Sequence, residues 1–286
     1  MHYLVADVFT DTAFGGNPLA VYPDAGALDT QQMQTIAREM NLSETTFVTP
    51  GSAPGHFAVR IFTPASEMQF AGHPTIGTAL VLAHLGRTEG RSEIVLEEGV
   101  GSIRVVLGTG SATFFMQGPA EVRPHSVAGV ALADALGLQE AALAGDPWQA
   151  GYGTPFMIVP LRSRDAVASS ALYGERWNAL TQGLWGNRAV YVYATTAHDG
   201  DTSFLHARMF APRLGVVEDP ATGSAAAALA GSIDTDATRL VIDQGVEMGR
   251  PSRIEAHVVR DGGVVQQISI GGSAVVIAEG RLLRVP

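Results

Sequence analysis

The sequence predicts an α+β protein of two similar lobes, in each of which strands wrap around one buried helix. Three observations carry that reading. Short runs rich in Val, Ile and Phe, separated by Gly, Pro or Asp, recur along the chain and have strand character. One helical segment, "HPTIGTALVLAHLG" from His73, is apolar on nearly every side, so protein must enclose it. A longer pattern also occurs twice. "RIFTPASEMQFAGHPTIGTALVLA" from Arg60 and "RMFAPRLGVVEDPATGSAAAALAG" from Arg208 both read Arg, apolar, Phe, x, Pro and a variable stretch. Each then reads His/Asp-Pro-x-x-Gly-Thr/Ser-Ala and opens an apolar helix. Upstream of each, "GGNPLAVY" and "YGTPFMIV" share a Gly-x-Pro step into a strand.

In the first half, "HYLVADVF", "LAVYP", "TTFVTP", "HFAVRIFTP", "SEIVLEE", "SIRVVLG" and "ATFFMQG" read as strands. "LDTQQMQTIAREM" reads as a helix: Leu28, Met33, Ile36, Ala37 and Met40 follow the 3.6-residue period, and Asp29 or Thr30 can cap its start. "QGPAEVRPHS" (117–126) is polar and proline-bearing and makes the best linker. In the second half "MIVPL", "AVYVYATT", "SFLHARMFAP", "RIEAHVVRD", "GVVQQISIGG" and "SAVVIAEGRLLRV" read as strands. "VALADALGLQ", "ALYGERWNALTQGLW" and "GSAAAALAGSI" read as helices.

Composition narrows the chemistry. The 286 residues suffice for one large domain or two ordinary ones, and 46% hydrophobic content supplies a real core. A net charge of −10 argues against nucleic acid or anionic membrane as partner. No apolar run approaches the roughly 20 residues of a membrane-spanning helix, and "MHYLVADVFTDTAFGG" lacks a basic leader, so a cytoplasmic protein is expected. With no cysteine, thiol nucleophiles and Cys-ligated metals are excluded. All eighteen basic residues are arginine, which removes Schiff-base and P-loop lysines. His56, His84, His125, His198, His206 and His257 read as structural; without metal-ligand spacing no metal site is expected, nor a cofactor.

Chemistry concentrates at the two helix mouths, Gly72-His73-Pro74-Thr75 and Asp219-Pro220-Ala221-Thr222-Gly223-Ser224. First-turn N–H groups lack intrahelical partners and carry partial positive charge, which suits a small carboxylate-bearing molecule. The competing reading is that Thr, Ser and Asp there are ordinary N-caps. "NLSETTF" poses the same choice. Ser43 and Glu44 either serve a turn or helix end, or Glu44 is an acid in partly apolar surroundings able to move protons.

"DVFTDTAFGGNPLAVY", "NLSETTFV", "FTPASEMQFAGHPTIGTA", "EDPATGSA", "QGVEMGRPSR" and "GGSAVVIAEG" resemble, in order, the hallmark segments of the phenazine-biosynthesis PhzF-like family, from residue 3 to about residue 284. The resemblance implies a diaminopimelate-epimerase-like fold: two lobes, each a curved mixed sheet or barrel around a central helix, with the site in the cleft between them. It implies lobes over 1–118 and 119–270, the segment 271–286 returning to the first, and a homodimer. Epimerases of this fold use two thiols, roughly where His73 and Asp219 stand, and a chain without cysteine cannot be one of these. The resemblance instead implies a one-base isomerase in which Glu44 takes a proton from one carbon and returns it to another. His73 and Asp219 would hold polar substituents and relay protons, and Ser43, Gly72, Gly223 and Ser224 would bind the substrate carboxylate. Alternatives are an epimerase pairing Glu44 with His73 or Asp219, and a non-catalytic small-molecule-binding protein of the same fold. Asn17, Tyr152, Phe156 and Met209 are candidates for the pocket's side walls.

Overall fold

The computed structural model describes residues 1–125 and 127–286; the linker candidate 117–126 ends on Ser126, outside the described residues. The chain forms two compact units, one of residues 1–115 with 270–286 and one of residues 116–269.

The first unit holds β1 (His2–Val8), β2 (Asn17–Tyr22), α1 (Thr30–Met40), β3 (Glu44–Pro50), β4 (His56–Phe62), β5 (Glu67–Met68), α2 (Gly72–His84), β6 (Glu93–Glu98), β7 (Gly101–Leu107) and β8 (Ser111–Gln117). The C-terminal strand Val264–Arg281 completes it. Pairing runs β1 to β2, in parallel to β3, to β4, in parallel to β6, then to β7 and β8. β8 pairs with the C-terminal strand, which returns antiparallel to β1 and closes the barrel. α2 packs against β1, β2, β3, β6 and β7, and ten of its residues are buried, as an all-round apolar helix requires. Gly77 allows the close approach: a Cβ there would lie 2.6 Å from side-chain atoms of Val8 and Leu19.

α1 covers the outer face. Met33, Ile36 and Ala37 pack with Ala20, Tyr22, Phe47 and Phe62, and Phe47 lies between Tyr22 and Phe62 in a stacked and an edge contact. Asp29 caps the helix: it accepts from Gln32 N, and Gln32 Oε1 accepts from Asp29 N, a reciprocal capping box. Asn41 closes the other end in the left-handed region, φ 51°.

The second unit repeats the order. It contains β9 (Glu121–Arg123), α3 (Gly129–Ala135), β10 (Trp148–Tyr152), β11 (Thr154–Pro160), α4 (Arg164–Ser169), α5 (Gly174–Leu180), β12 (Val190–Asp199), β13 (Thr202–Ala211), β14 (Val216–Asp219), α6 (Gly223–Ala230), β15 (Arg239–Gln244), β16 (Ser252–Asp261) and the start of β17 (Val264–Arg281). β11 and β12 are parallel as β2 and β3 are, and β13 and β15 as β4 and β6 are. α6 is the buried helix, and α3, α4 and α5 cover an outer cluster around Trp177. The duplicated arginines do duplicated work. Arg60 sits over Phe62 and grips Glu67 through two nitrogens; Arg208 sits over Phe210 and grips Glu218 the same way.

Three expectations change. "GVVQQISIGG" and "SAVVIAEGRLLRV" are one continuous strand, because Gly271 is a place of close approach, where a Cβ would meet Thr113 Oγ1 at 2.6 Å, and not a turn. "ALYGERWNALTQGLW" is helical only over Gly174–Leu180. The linker stretch contains β9, paired with β10. Strands β10, β14 and β15 and helix α4 were not legible. "WQAGY" carries an interior glycine, Gly151, and the apolar run of "RLVIDQ" is short and flanked by charges.

Candidate active site

In the first unit, α1 ends at Asn41 and two residues carry the chain into β3, whose first residue is Glu44. Neither Ser43 nor Glu44 caps that helix, since Asn41 does so with its backbone, donating to Ala37 O. The parallel register of β2 and β3 sets Glu44 beside Leu19, two residues beyond Asn17. Asn17 opens β2, fully buried, after Gly16 turns the chain with φ 60°. A Cβ at Gly16 would lie 2.4 Å from Val8 O, so this turn needs glycine.

Four side chains follow from that placement. Ser43 Oγ donates to Asn17 Oδ1 at 2.9 Å, and Asn17 Nδ2 lies 3.3 Å from His73 Nδ1. An amide nitrogen only donates, so Nδ1 is the acceptor and the ring proton sits on Nε2. Nε2 lies 3.4 Å from Glu44 Oε2. Burial holds the His73 imidazole far down, to about 3, so at neutral pH the ring is uncharged. The direction runs hydroxyl to amide and amide to ring, and the far nitrogen of that ring lies 3.4 Å from the carboxylate.

His73 is the second residue of α2, and the cap position before the helix is Ala71, which has no side-chain cap hydrogen bond. Gly72 and His73 thus open a first turn that no side chain closes. Pro74, in the same turn, has no N–H to satisfy.

In the second unit Asp219 ends β14 and is buried. Its Oδ2 accepts from Thr222 Oγ1 at 2.6 Å. Gln244 donates to Asp219 O and Thr222 Oγ1 and accepts from Thr222 N. Thr222 is the cap position of α6, yet its hydroxyl turns to Asp219 and makes no cap bond to the helix. Gly223 and Ser224 are the first two helical residues. The two helices start at different points of the repeat. Pro74 lies inside α2, whereas Pro220 lies before α6, because the bonds to Gln244 hold 219–222 outside the helix.

Ser43, Glu44, Gly72 and His73 thus come together in the first unit, and Asp219, Gly223 and Ser224 in the second. Of the side-wall candidates, Asn17 is a member of the first group, and Met209 is the strand partner of Asp219. Phe156 is buried, and the Tyr152 hydroxyl donates to Gly118 O. Sequence reasoning passed over Gln244 and Tyr191. The buried Tyr191 hydroxyl is pushed up by desolvation first and then by the charge of Asp219. Of the six histidines read as structural, His125, His198 and His206 bond Pro147 O, Ser203 and Glu247 within the fold. No group of three or more His, Asp or Glu that could hold a metal occurs among the described residues. No helix among them is long and apolar enough to cross a membrane.

A closed mixed barrel around a buried helix, with a carboxylate and a neutral imidazole at the helix mouth, is an arrangement able to hold a small molecule and exchange protons with it. The family described as phenazine biosynthesis-like protein matches residues 6–280. The chain belongs to that family and is an isomerase-type enzyme. It is 40% identical over 300 residues to an uncharacterized isomerase of Mesorhizobium japonicum, with 98% of each chain covered. It is 37% identical over 290 residues to the trans-2,3-dihydro-3-hydroxyanthranilate isomerase of Pseudomonas aeruginosa, covering 98% of this chain and 99% of that one. The crystal structure of a PhzF-family phenazine biosynthesis protein from Bacillus anthracis matches at a TM-score of 0.87 and 25% identity, over 99% of both chains.

Proposed function

We propose that the protein moves a proton between two carbons of a small carboxylate-bearing metabolite, cyclic or amino-acid-like, with Glu44 as both base and acid. The supporting observation is the ordered chain from Ser43 through Asn17 to His73, which leaves the N–H-bearing nitrogen of a neutral ring 3.4 Å from the Glu44 carboxylate. In this reading the carboxylate removes a C–H proton next to an unsaturated or carbonyl system. The electron pair left behind spreads over that system. Glu44, now a carboxylic acid, gives the proton to the remote carbon, so the product has the composition of the substrate and a shifted double bond. His73 serves as a hydrogen-bond donor, since burial denies it the imidazolium form.

In this reading Ser43 and the open turn at Gly72 offer donors to the substrate carboxylate, and Gly223, Ser224 and Asp219 are further candidates for binding and proton relay. The reading expects a homodimer in the cytoplasm, the former to be checked by sedimentation. Its test is turnover in heavy water, with the substrate named for the Pseudomonas aeruginosa relative as first probe among cyclic carboxylates. A product with a shifted double bond, lost in Glu44→Gln, supports it, and the deuterium content at the remote carbon measures how far the Glu44 proton exchanges with solvent during transfer. Inversion at a single carbon without a shifted double bond would replace it by epimerisation.

A further inference from the structure

We propose that Glu98 is an uncharged carboxylic acid that positions the first turn of α2, leaving the positive end of that helix to the substrate. The clause about substrate rests on the function proposed above; the protonation state does not. Glu98 ends β6 and is buried beneath the helix mouth. The Thr75 hydroxyl lies 2.8 Å from Glu98 Oε1 and 2.9 Å from Ala71 O. That hydroxyl has one proton, and a carbonyl and a carboxylate both only accept. An ionised Glu98 would leave two acceptors competing for it. A protonated Glu98 donates to Thr75 Oγ1, Thr75 donates to Ala71 O, and every group in the line is served. The other oxygen, Oε2, is buried without a hydrogen-bond partner, which a charged carboxylate tolerates poorly.

The internal repeat supports the assignment. Ala58 of β4 faces Glu97 of β6, and His206 of β13 faces Asp243 of β15. Ala58 and His206 each stand two residues before the duplicated arginine, so Glu98 and Gln244 occupy the same place, and a glycine follows each. Gln244 pins the start of α6 with an amide that both donates and accepts. Only the protonated form of glutamate has that same pairing of donor and acceptor.

Burial pushes the Glu98 carboxyl up to about 8, opposed by the Thr75 bond. The groups around it carry no charge to reverse this. Thr75 and the neutral His73 come from α2, Gln69 lies against neighbouring Gly99, and Gly101 is the register partner on β7. Glu97, the next residue, is engaged with Ser52 and His56.

The test needs no substrate, so its failure leaves the proposed isomerisation standing, and the reverse holds. Infrared spectra of the wild type at neutral pH should contain a carboxylic-acid carbonyl band that fades through about pH 8 and is absent in Glu98→Gln. Hydrogen exchange at His73–Ile76, corrected for intrinsic rate, should loosen across the same range in the wild type and stay flat in the glutamine variant. A folded-state carboxyl pKa raised above its unfolded value gives stability that is full at low pH and lost as pH rises to about 8. Glu98→Gln should therefore gain on the wild type between the ordinary carboxylate range and pH 8, and no further above it. Absence of the band in the wild type at neutral pH overturns the proposal even if the variant fails to fold, and so does an identical exchange profile in both proteins.

Discussion

His73 Nε2 lies 3.4 Å from Glu44 Oε2, and the buried ring that presents it is neutral. A carboxylate must be ionised to take a proton. Glu44→Gln keeps the shape and removes the base. We expect turnover to fall by roughly two to four orders of magnitude, the usual worth of general acid–base help. The melting temperature should stay close to that of the wild type, which separates lost chemistry from lost fold.

Asn17 holds the ring in its tautomer. Asn17→Leu removes the donor to His73 Nδ1 and the acceptor of Ser43 Oγ together, in a fully buried place. Leaving such groups unpaired costs about 1–3 kcal/mol, to be read from denaturant midpoints. Nitrogen NMR of the His73 ring should show a proton mainly on Nε2 in the wild type and a mixture of tautomers in the variant. A variant ring still protonated only on Nε2 would show that Asn17 does not set the tautomer.

How much of this was legible in the sequence depended on reach along the chain. Ser43 with Glu44 and Gly72 with His73 are chain neighbours at the mouths of two elements, so periodicity and capping logic located them. Asn17 lies 56 residues from His73, and nothing local says that β2 opens against α2. Glu98 reads as an ordinary strand end and Gln244 carries no signal at all, because their meaning comes from partners at the helix mouths, 23 and 22 residues away in chain number. The closure of the first barrel by the C-terminal strand was likewise implied only by resemblance, since pairing of β1 with β17 joins the two ends of the chain. Burial was more readable, because an apolar body on all sides of a helix has one physical solution.

The neutral imidazole makes an acid-side prediction. A histidine whose folded pKa lies below its unfolded value binds fewer protons folded, so stability rises with pH between the two values. For His73 the window runs from about 3 up to 6.5. Wild type should therefore lose stability as pH falls below 6.5, and His73→Asn, which cannot titrate, should lose less over that window. Unfolding midpoints of the two proteins at several pH values give the difference directly; parallel curves would mean that His73 is protonated in the fold.

Gly245 tests the second mouth. Its φ is +75°, and a Cβ there would lie 2.5 Å from both Pro220 O and Arg250 O. Gly245→Ala must push the 219–222 segment or strain its own backbone, at a cost of order 1–3 kcal/mol. Because Gln244 is its chain neighbour, the bonds to Thr222 and Asp219 O move with it. We expect KM to rise more than kcat falls, as for lost binding groups, with Ser224→Ala showing the same split. Equal falls in kcat and kcat/KM would place these residues in the chemistry.

The duplicated arginines give a comparison within one molecule. Arg60 and Arg208 make the same two contacts, an aromatic ring beneath and a carboxylate gripped by two nitrogens. Their surroundings differ: side-chain exposure is 36% for Arg60 and 11% for Arg208, and Arg208 also donates to the carbonyls of Ala168 and Ser170 near the end of α4. Lysine keeps the charge but loses the fork and the planar contact. Arg60→Lys should cost at most about 1 kcal/mol, as exposed pairs do. Arg208→Lys leaves Glu218 and those carbonyls short of donors in a largely dry place, and should cost about 3 kcal/mol or more. Chemical denaturation of both variants reads the difference. Equal losses would mean that the contact itself, and not its burial, sets the energy.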